Sequence, residues 1–362
     1  MKKLTYILFS AILIFGACGE DSPVVEVSEV QYDPSPYELS YGHLPDPELP
    51  QDNPLTQQGV ELGRMLFYEP MLSRDNSQSC ASCHNQLDAF TDTLQFSIGV
   101  ENLPGKRQAM SVFNMAWHSN DFFWDGRAEL LRDQAILPIQ DPLEMNETLE
   151  NVISKLSSEN MYRDQFKRAF SDGEITVDNM ALALEQFMLS IVSYDSKYDR
   201  YLNGEATLTG SEERGRQLYF TEYNPFFPEL SGADCAHCHG GLNFENDLYM
   251  NNGLDTDDEF VDMGRAMVTM RPEDDARFKV PSLRNIELTP PYMHDGRFQT
   301  LEEVIDHYNE GIKESSTVDP AILNTKMTGL FLTEEDKTDL INFLKTLTDH
   351  SLLTNENYST PF

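Results

Sequence analysis

The pentapeptide C-x-x-C-H occurs twice, at residues 80–84 and at residues 235–239. The two copies use four of the five cysteines in the 362-residue chain. Thiols at positions i and i+3 lie on one face of a helical turn, so both can bond one porphyrin while the adjacent His binds its iron. The pattern predicts two c-type haems. Their attachment and ligand residues would be Cys80, Cys83 and His84 for one haem, and Cys235, Cys238 and His239 for the other.

Two other interpretations use the same cysteines. A zinc site would gather two C-x-x-C pairs around one tetrahedral ion, but it gives no reason for a His directly after each pair. A disulfide framework suits chains too small to build a core, and this chain is long enough to fold without one. Haem attachment is the interpretation that explains the whole pentapeptide.

The chain is strongly acidic, with 61 Asp and Glu against 26 Lys and Arg and a formal charge of −35. This balance disfavours nucleic acids and anionic membrane surfaces as partners. It favours a basic soluble partner, such as a small electron-transfer protein. The alternative, that the charge only keeps the protein soluble, stays open.

The first residues predict export. Lys2 and Lys3 precede a short apolar run at 4–15, which is too short to span a bilayer as a helix. Small residues before Cys18 resemble a bacterial lipoprotein signal, so Cys18 is the expected lipidation site. We therefore expect a periplasmic protein with a lipid anchor in the membrane. An ordinary secretory signal that leaves a free cysteine is the alternative.

An internal repeat organises the remaining chain. A Gly-Arg pair and a hydrophobic cluster precede each haem motif, at residues 63–68 and 215–220, and an Asp-Gly-Arg turn that starts a helix follows each motif. The repeat predicts a mainly α-helical protein with two tandem cytochrome c-like domains, each holding one haem. The predicted segments are a signal peptide at 1–17, an extended spacer at 18–50, an N-terminal domain at 51–203, a C-terminal domain at 204–352 and a tail at 353–362.

The helices after the two Asp-Gly-Arg turns differ in their polar residues. The first is predicted at 128–137, ended by Pro138, with Gln134 pointing inward; Gln134 then either caps a buried carbonyl or serves a site. The second starts after Thr300, and its apolar face includes Tyr308 but not His307. Tyr308 is then either a core aromatic residue or a functional one.

Two further helices are predicted from apolar periodicity. One covers residues 179–202 and leads to the expected domain boundary at 203–204, and the other is a capped amphipathic helix at 333–347.

Together these features resemble the bacterial di-haem cytochrome c peroxidase and MauG family over nearly all of residues 51–350. Besides the haem motifs, the matching segments are W-D-G-R at 124–127, Q-A at 134–135, L-E-M at 143–145, V-P-S-L-R-N at 280–285 and T-P-P-Y-M-H-D-G at 289–296. The resemblance implies that peroxide reacts at the N-terminal haem and that electrons arrive through the C-terminal haem.

The resemblance also implies roles for individual residues. Glu144 would be the distal acid–base, Gln134 its partner in the pocket, and Trp124 the residue between the haems. A calcium ion between the domains would be bound by the Asn114 side chain and the carbonyls of Thr289 and Pro291, which are suitable oxygen ligands. The implied partners are hydrogen peroxide, a small electron donor (a cytochrome c or a cupredoxin) and a second copy of the chain in a homodimer.

Two positions separate sub-types of the family. Classical members carry a distal His on the first haem, but the matching loop at 99–109 contains none, and the nearest is His118. Classical members also use Met as the second ligand of the C-terminal haem, where Tyr308 stands here. A phenolate ligand would lower the reduction potential of that haem. Met327 is the alternative ligand.

Both differences are similar to MauG. The primary expectation is a di-haem peroxidase that reduces hydrogen peroxide to water. The alternatives are a MauG-like enzyme that uses peroxide to oxidise residues of a partner protein, and a plain electron-transfer cytochrome. The plain cytochrome would not need Gln134 and Glu144 at their spacing.

Overall fold

The computed structural model describes residues 29–326 and 328–362. The predicted signal peptide at 1–17, the lipidation site Cys18 and the alternative ligand Met327 lie outside the described residues. In the described part, which is mostly helical, no helix is long and apolar enough to cross a membrane.

The helices of the described part follow one another with short connections. They are α1 Gln57–Phe67, α2 Cys80–Cys83, α3 Leu131–Gln140, α4 Leu149–Ser158, α5 Asn160–Ala169, α6 Val177–Ser190, α7 Lys197–Leu202, α8 Gly210–Phe220, α9 Ala266–Thr269, α10 Leu301–Asp306, α11 Pro320–Leu323, α12 Glu334–Lys345 and α13 His350–Thr354. A π-helical turn, His307–Gly311, continues α10. Strands β1 Tyr249–Met250 and β2 Phe278–Lys279 pair in an antiparallel register.

Helices α1 and α6 cross at the centre of a first hydrophobic cluster. Thr56 caps α1 by accepting a hydrogen bond from the Gly59 amide, and α1 buries Leu62 and Leu66 completely. A Cβ atom at Gly63 would lie 1.9 Å from the Ala183 carbonyl oxygen. Glycine at this position therefore sets how closely the two helices approach.

Helices α8 and α12 make the corresponding crossing in a second hydrophobic cluster. A Cβ atom at Gly215 would lie 1.9 Å from the Asp339 carbonyl oxygen. The buried rings of Tyr219 and Phe343 pack edge to face, with centroids 5.2 Å apart. The glycines of the two repeated Gly-Arg pairs thus play the same part in two separate crossings.

The helix predicted at 179–202 is broken into α6 and α7. The buried Asp349 carboxylate accepts hydrogen bonds from the backbone amides of Tyr194 and Asp195, which takes these residues out of the helix. Helix α7 then packs in the second cluster through Tyr198, whose ring centroid lies 5.2 Å from that of Phe343. The chain therefore passes from the first cluster to the second before residues 203–204.

The helix predicted at 128–137 also has different bounds. Helix α3 starts at Leu131 and continues to Gln140, with Pro138 inside it instead of at its end. Proline removes the hydrogen bond to the carbonyl four residues earlier but does not prevent the turn from closing on other contacts. Leu130 and Leu137 are 45% and 37% exposed, so α3 is a half-buried helix and not a fully buried one.

Both ends of the described chain pack on the first cluster. Tyr37, in the segment predicted as a spacer, packs there and donates its amide to the Leu55 carbonyl, so the folded unit begins at Gln31. In the predicted tail, Tyr358 is buried and its carbonyl accepts a hydrogen bond from the Tyr68 hydroxyl at 2.6 Å. The last residues therefore reinforce the half of the protein that contains the first C-x-x-C-H motif.

Candidate active site

The first C-x-x-C-H motif is built on a single helical turn. Ser79 and Ser82 form a capping box around α2, which carries Cys80 and Cys83. His84 follows directly, and its Nδ1 atom lies 3.0 Å from the Phe90 carbonyl oxygen. This hydrogen bond fixes the imidazole ring and leaves Nε2 as the atom available to a metal.

The second motif repeats this arrangement on a 3₁₀ turn, Cys235–His237. The Nδ1 atom of His239 lies 3.0 Å from the Pro281 carbonyl oxygen, which again leaves Nε2 available. The buried Tyr219 hydroxyl donates to the His239 carbonyl at 2.6 Å and holds the backbone of the motif. Pro281 belongs to the V-P-S-L-R-N segment, so that segment positions the second imidazole.

The four cysteines of the two motifs form no disulfide. Burial raises the pKa of Cys80 to about 12 and that of Cys235 to about 12. Burial also lowers the pKa of His84 and lowers that of His239 to about 4. In residues 29–326 and 328–362, no cluster of three or more His, Cys, Asp or Glu side chains could hold a metal ion, so the two C-x-x-C pairs do not converge on a zinc site.

A cavity of about 60 Å³ adjoins the first motif. Cys80, Cys83 and His84 of the first motif line it. Gln134 of α3 and Glu144, which follows α3, also line it. The structure therefore brings together the residues that the sequence assigned to one site. Free thiols, an available imidazole nitrogen and an apolar cavity are the features that a covalently attached haem requires.

Glu144 is the titratable group of this cavity. Burial raises the pKa of Glu144 to about 7; repulsion by Asp141 adds to the increase and attraction by Arg127 opposes it. A carboxyl group with this pKa can both accept and return a proton near neutral pH. The Gln134 backbone amide donates to the Leu130 carbonyl at 3.0 Å within the helix, and the Gln134 side chain, for which no hydrogen bond to another described residue is found, lines the cavity.

The loop matching the distal-His position of classical members forms another part of the cavity wall. Ser97 and Gly99 line the cavity, and the Val100 amide donates to the Glu144 carbonyl at 2.9 Å. His118 does not line it. The His118 imidazole is buried elsewhere, with Nδ1 3.1 Å from the Glu245 carboxylate; burial alone would lower its pKa, but Glu245 raises it overall.

Trp124 lies where the two halves of the folded unit meet. Its indole nitrogen donates to the Gln108 carbonyl at 2.8 Å, and its own carbonyl accepts from the Lys279 amide at 2.8 Å. Lys279 belongs to β2, which pairs with the strand that follows the second motif. Trp124 is thus bonded to both sides of the junction.

Tyr308 lies on the π-helical turn after α10. Its hydroxyl accepts a hydrogen bond from the Asn252 side chain at 3.3 Å, and the same Asn252 nitrogen lies 3.2 Å from the Met293 sulfur. Burial raises the pKa of Tyr308 to about 12; the Asn252 hydrogen bond opposes the increase, and the thiols of Cys238 and Cys235 add to it. Tyr308 packs against the same hydrophobic cluster as Cys235 of the second motif.

His307 is buried whereas Tyr308 is only half-buried, which is the reverse of the expectation from the helical pattern. Its Nε2 atom lies 3.0 Å from the Asn252 carbonyl oxygen, so the ring is held away from the motif by the backbone. The π turn changes the helical phase after Asp306, which is why both neighbours can be covered.

Asn114, the predicted calcium ligand, is fully buried. Its side-chain oxygen accepts from the Ser193 amide at 2.7 Å, and its side-chain nitrogen donates to the Ser193 carbonyl and to Asn243. These bonds fix the orientation of the amide, and calcium binding by Asn114 and the carbonyls of Thr289 and Pro291 stays a prediction.

The sequence interpretation missed two residues at these sites. Asn252 lies in an Asn-Asn-Gly segment, a pattern that predicts a turn. Only the fold places it beside Tyr308. Gln108 contacts Trp124 through its backbone carbonyl, which leaves no signal in the sequence.

Comparisons with known proteins agree with these motifs. The family model for di-haem cytochrome c peroxidase matches residues 57–207. The methylamine utilization protein MauG of Methylorubrum extorquens is 35% identical over 301 residues, covering 82% of this chain and 80% of that protein. The cytochrome c551 peroxidase of Nitrosomonas europaea is 36% identical over 291 residues, covering 80% of this chain and 79% of that protein.

The structural comparison is similarly extensive. A solved MauG-like protein associated with microbial copper homeostasis is 34% identical and superposes with a TM-score of 0.78. The match covers 88% of this chain and 97% of that chain.

Proposed function

Because the chain belongs to the di-haem cytochrome c peroxidase family, we propose that it reduces hydrogen peroxide to water in the cavity beside His84. The observation that supports this most directly is the shared cavity wall of Cys80, Cys83, His84, Gln134 and Glu144. Each c-type haem, when bound, supplies an iron that exchanges electrons one at a time. The overall reaction joins one hydrogen peroxide, two electrons and two protons to give two water molecules.

In this proposal Glu144 moves the proton. As a carboxylate it accepts a proton from one oxygen of the peroxide, and as a carboxylic acid it returns that proton to the oxygen that leaves as water. A pKa of about 7 makes both forms accessible near neutral pH. The Gln134 amide is available to orient the peroxide, because it has no competing partner among the described residues.

Electrons reach the cavity from the second half of the protein. Cys235, Cys238 and His239 would hold the second haem, with Tyr308 as its other axial ligand. Trp124 is the aromatic group bonded to both sides of the junction and would lie on the electron path. The donor would be a small redox protein, a cytochrome c or a cupredoxin, with a basic surface that complements the charge of −35.

A second candidate function is the oxidation of residues in a partner protein. Tyr308, which packs on the same hydrophobic cluster as Cys235, supports it, because the sequence resemblance associates tyrosine at this position with MauG. The relatives include proteins named MauG and proteins named cytochrome c peroxidase, so the family alone does not choose between the two. A plain electron-transfer cytochrome would not require Glu144 in a cavity.

Other features remain predictions. Family members are typically periplasmic, and attachment of this chain through a lipid on Cys18 is a prediction from the sequence. So are the division into two domains at residues 203–204, the homodimer and the calcium ion.

The test is stopped-flow spectroscopy of the fully oxidised holoprotein mixed with one equivalent of hydrogen peroxide, without reductant. We expect a fast optical change in the wild type, because the loop at 99–109 offers no His that would block the iron. The Glu144→Gln variant should react about 10²–10⁴-fold more slowly, because it cannot accept the proton.

Glu129→Gln is the matched control, since Glu129 precedes α3 but is exposed. Haem content must be equal in all three proteins. A wild-type rate in Glu144→Gln would refute the assigned role of Glu144. A wild type that reacts only after one electron is supplied would show that a ligand blocks the first iron at rest.

Adding a reduced basic cytochrome c then separates the two candidate functions. Rapid oxidation of the cytochrome by peroxide supports the peroxidase. If peroxide is consumed slowly with every soluble donor, the protein-oxidising function is favoured.

A further inference from the structure

Residues 97–108 form a loop that packs against the backbone of Glu144; we call it the 97–108 loop. Its two arms are joined by the hydrogen bond from the Gly105 amide to the Ser97 carbonyl at 2.8 Å. A Cβ atom at Gly99 would lie 2.1 Å from the Leu143 carbonyl oxygen. With the Val100 amide bonded to the Glu144 carbonyl, this contact makes the loop part of the support for Glu144.

The far end of the same loop is held by a half-buried arginine. The Arg107 guanidinium makes two hydrogen bonds to Asp262, at 2.7 and 2.8 Å, and an ion pair with Asp125 at 2.7 Å. The Arg107 side chain is 14% exposed, so water competes little with these contacts. Asp125 belongs to the first Asp-Gly-Arg turn, whereas Asp262 lies beyond the second haem motif.

The next residue, Gln108, ties the loop to Trp124 and to the second Asp-Gly-Arg region. The Gln108 amide donates to the His294 carbonyl at 2.8 Å, and the Gln108 carbonyl accepts from the Trp124 indole at 2.8 Å. Its side chain donates to the Thr91 hydroxyl at 3.0 Å. One short segment therefore contacts both the support of Glu144 and the group between the two motifs.

We propose that Arg107 is a positioning residue that fixes the 97–108 loop against both halves of the protein and thereby holds Glu144 and Trp124 in their working positions. The bidentate pair with Asp262 fixes the plane of the guanidinium, which a single charge contact could not do. The Asp125 pair holds it from the first half. This inference rests on the proposed function of Glu144 but concerns residues outside the cavity wall.

The test compares Arg107→Gln and Asp262→Asn with the wild type as haem-loaded proteins. Each variant removes one partner of the Arg107–Asp262 pair, so the other variant can still be measured if one of them does not fold. Amide hydrogen exchange of peptides covering 97–106 should be about tenfold faster in both, because the loop opens more often. The peroxide reaction of the oxidised protein should be up to about 10²-fold slower through displacement of Glu144.

Arg214→Gln is the matched control. It removes another bidentate Arg–Asp pair, from Arg214 to Asp339 at 2.7 and 3.1 Å, which joins α8 to α12 far from the loop in the chain. We expect this control to leave the exchange of residues 97–106 and the peroxide rate within twofold of the wild type. Equal effects of Arg214→Gln and Arg107→Gln would mean a general loss of stability and would overturn the positioning role.

The exchange measurement does not depend on peroxide chemistry. If the wild type fails to react with peroxide, the proposed function falls, and the exchange data still decide whether Arg107 fixes the loop. Wild-type exchange in both Arg107→Gln and Asp262→Asn would overturn the inference. So would faster exchange combined with an unchanged peroxide rate, because the loop would then be held without positioning Glu144.

Discussion

The two C-x-x-C-H motifs hold their histidines alike, but the walls that face them differ. His84 and His239 each place Nδ1 3.0 Å from a backbone carbonyl oxygen. Beside His84 lies a cavity of about 60 Å³ with Glu144 in its wall. On the side of His239, the half-buried Tyr308 accepts a hydrogen bond from Asn252 and packs on the same hydrophobic cluster as Cys235. The same anchor is thus accompanied by a carboxyl group in one half and by a tyrosine in the other.

The difference arises in the helices that follow the two Asp-Gly-Arg turns. Helix α3 continues past Pro138 and presents Gln134 to the cavity. Helix α10 ends after six residues in a π turn that carries Tyr308. The repeated motif therefore indicates how a haem would be held in each half, while the helix that follows brings a different polar residue towards it, Gln134 in the first half and Tyr308 in the second.

The largest effect should come from substituting Tyr308. We expect Tyr308→Phe to change the optical and electron paramagnetic resonance spectra of the second haem completely, because the proposed function makes the Tyr308 hydroxyl a ligand of its iron. The first haem should keep its spectrum. The same spectra report on both haems, so in each variant the signal of the first haem is the reference for the signal of the second.

Tyr292→Phe is the control for this substitution, since Tyr292 is buried in the same cluster and only donates to the Ile286 carbonyl. If Tyr308→Phe leaves the second haem unchanged, another residue is the ligand. Met293 is then the first one to substitute, because it shares Asn252 with Tyr308.

A smaller effect should follow from perturbing the two helix crossings separately. Gly63→Ala and Gly215→Ala should each lower the free energy of unfolding by about 1–3 kcal/mol, because each Cβ meets a carbonyl oxygen at 1.9 Å. Only Gly63→Ala should also slow the peroxide reaction, since Leu184 and Met188 of α6 line the cavity. Denaturant unfolding and stopped-flow rates measure the two effects.

Gly210→Ala serves as the control, because its Cβ would meet only the Arg214 guanidinium, at 3.6 Å. Equal slowing of the peroxide reaction by Gly63→Ala and Gly215→Ala would show that the two halves do not differ in this respect.

The smallest effect concerns the pH dependence of the first site. The peroxide reaction should be fastest above pH 7 and should fall about tenfold per pH unit below it, because only the Glu144 carboxylate accepts the proton. Asp141→Asn removes a repulsive charge and lowers the pKa of Glu144. The inflection of the pH–rate profile should therefore move to lower pH.

Asp133→Asn is the control, since Asp133 is exposed on α3. An inflection that stays in place in Asp141→Asn would mean that another group controls the rate. The second haem should show no corresponding transition in its spectrum, because Glu144 lies beside the first motif.

Much of the site could be predicted because its signals are local in the sequence. Each C-x-x-C-H motif is one turn of chain, and the family resemblance indicated Gln134 and Glu144, which the fold then brings to one cavity. The resemblance itself is confirmed by the relatives. The ends of the helices differ from the prediction. Helix α3 continues past Pro138, because neighbouring contacts compensate for the hydrogen bond that proline removes.

Non-local contacts account for the other differences. The predicted helix at 179–202 ends early because Asp349, far along the chain, binds the amides of Tyr194 and Asp195. The segment from residue 31 joins the folded unit through contacts such as that of Tyr37 with Leu55, although its proline-rich composition resembles a linker.

The sequence by itself determined the two haem motifs, the helical class, the family and the repeated Gly-Arg and Asp-Gly-Arg segments, because these depend on spacing within a few residues. Only the tertiary structure decided that Arg107 bridges Asp125 and Asp262, that Gln108 contacts Trp124, and that Asn252 reaches Tyr308. These contacts join residues that lie on separate segments of the chain. Some of them use backbone atoms, which every residue type possesses, so no pattern of side chains could reveal them.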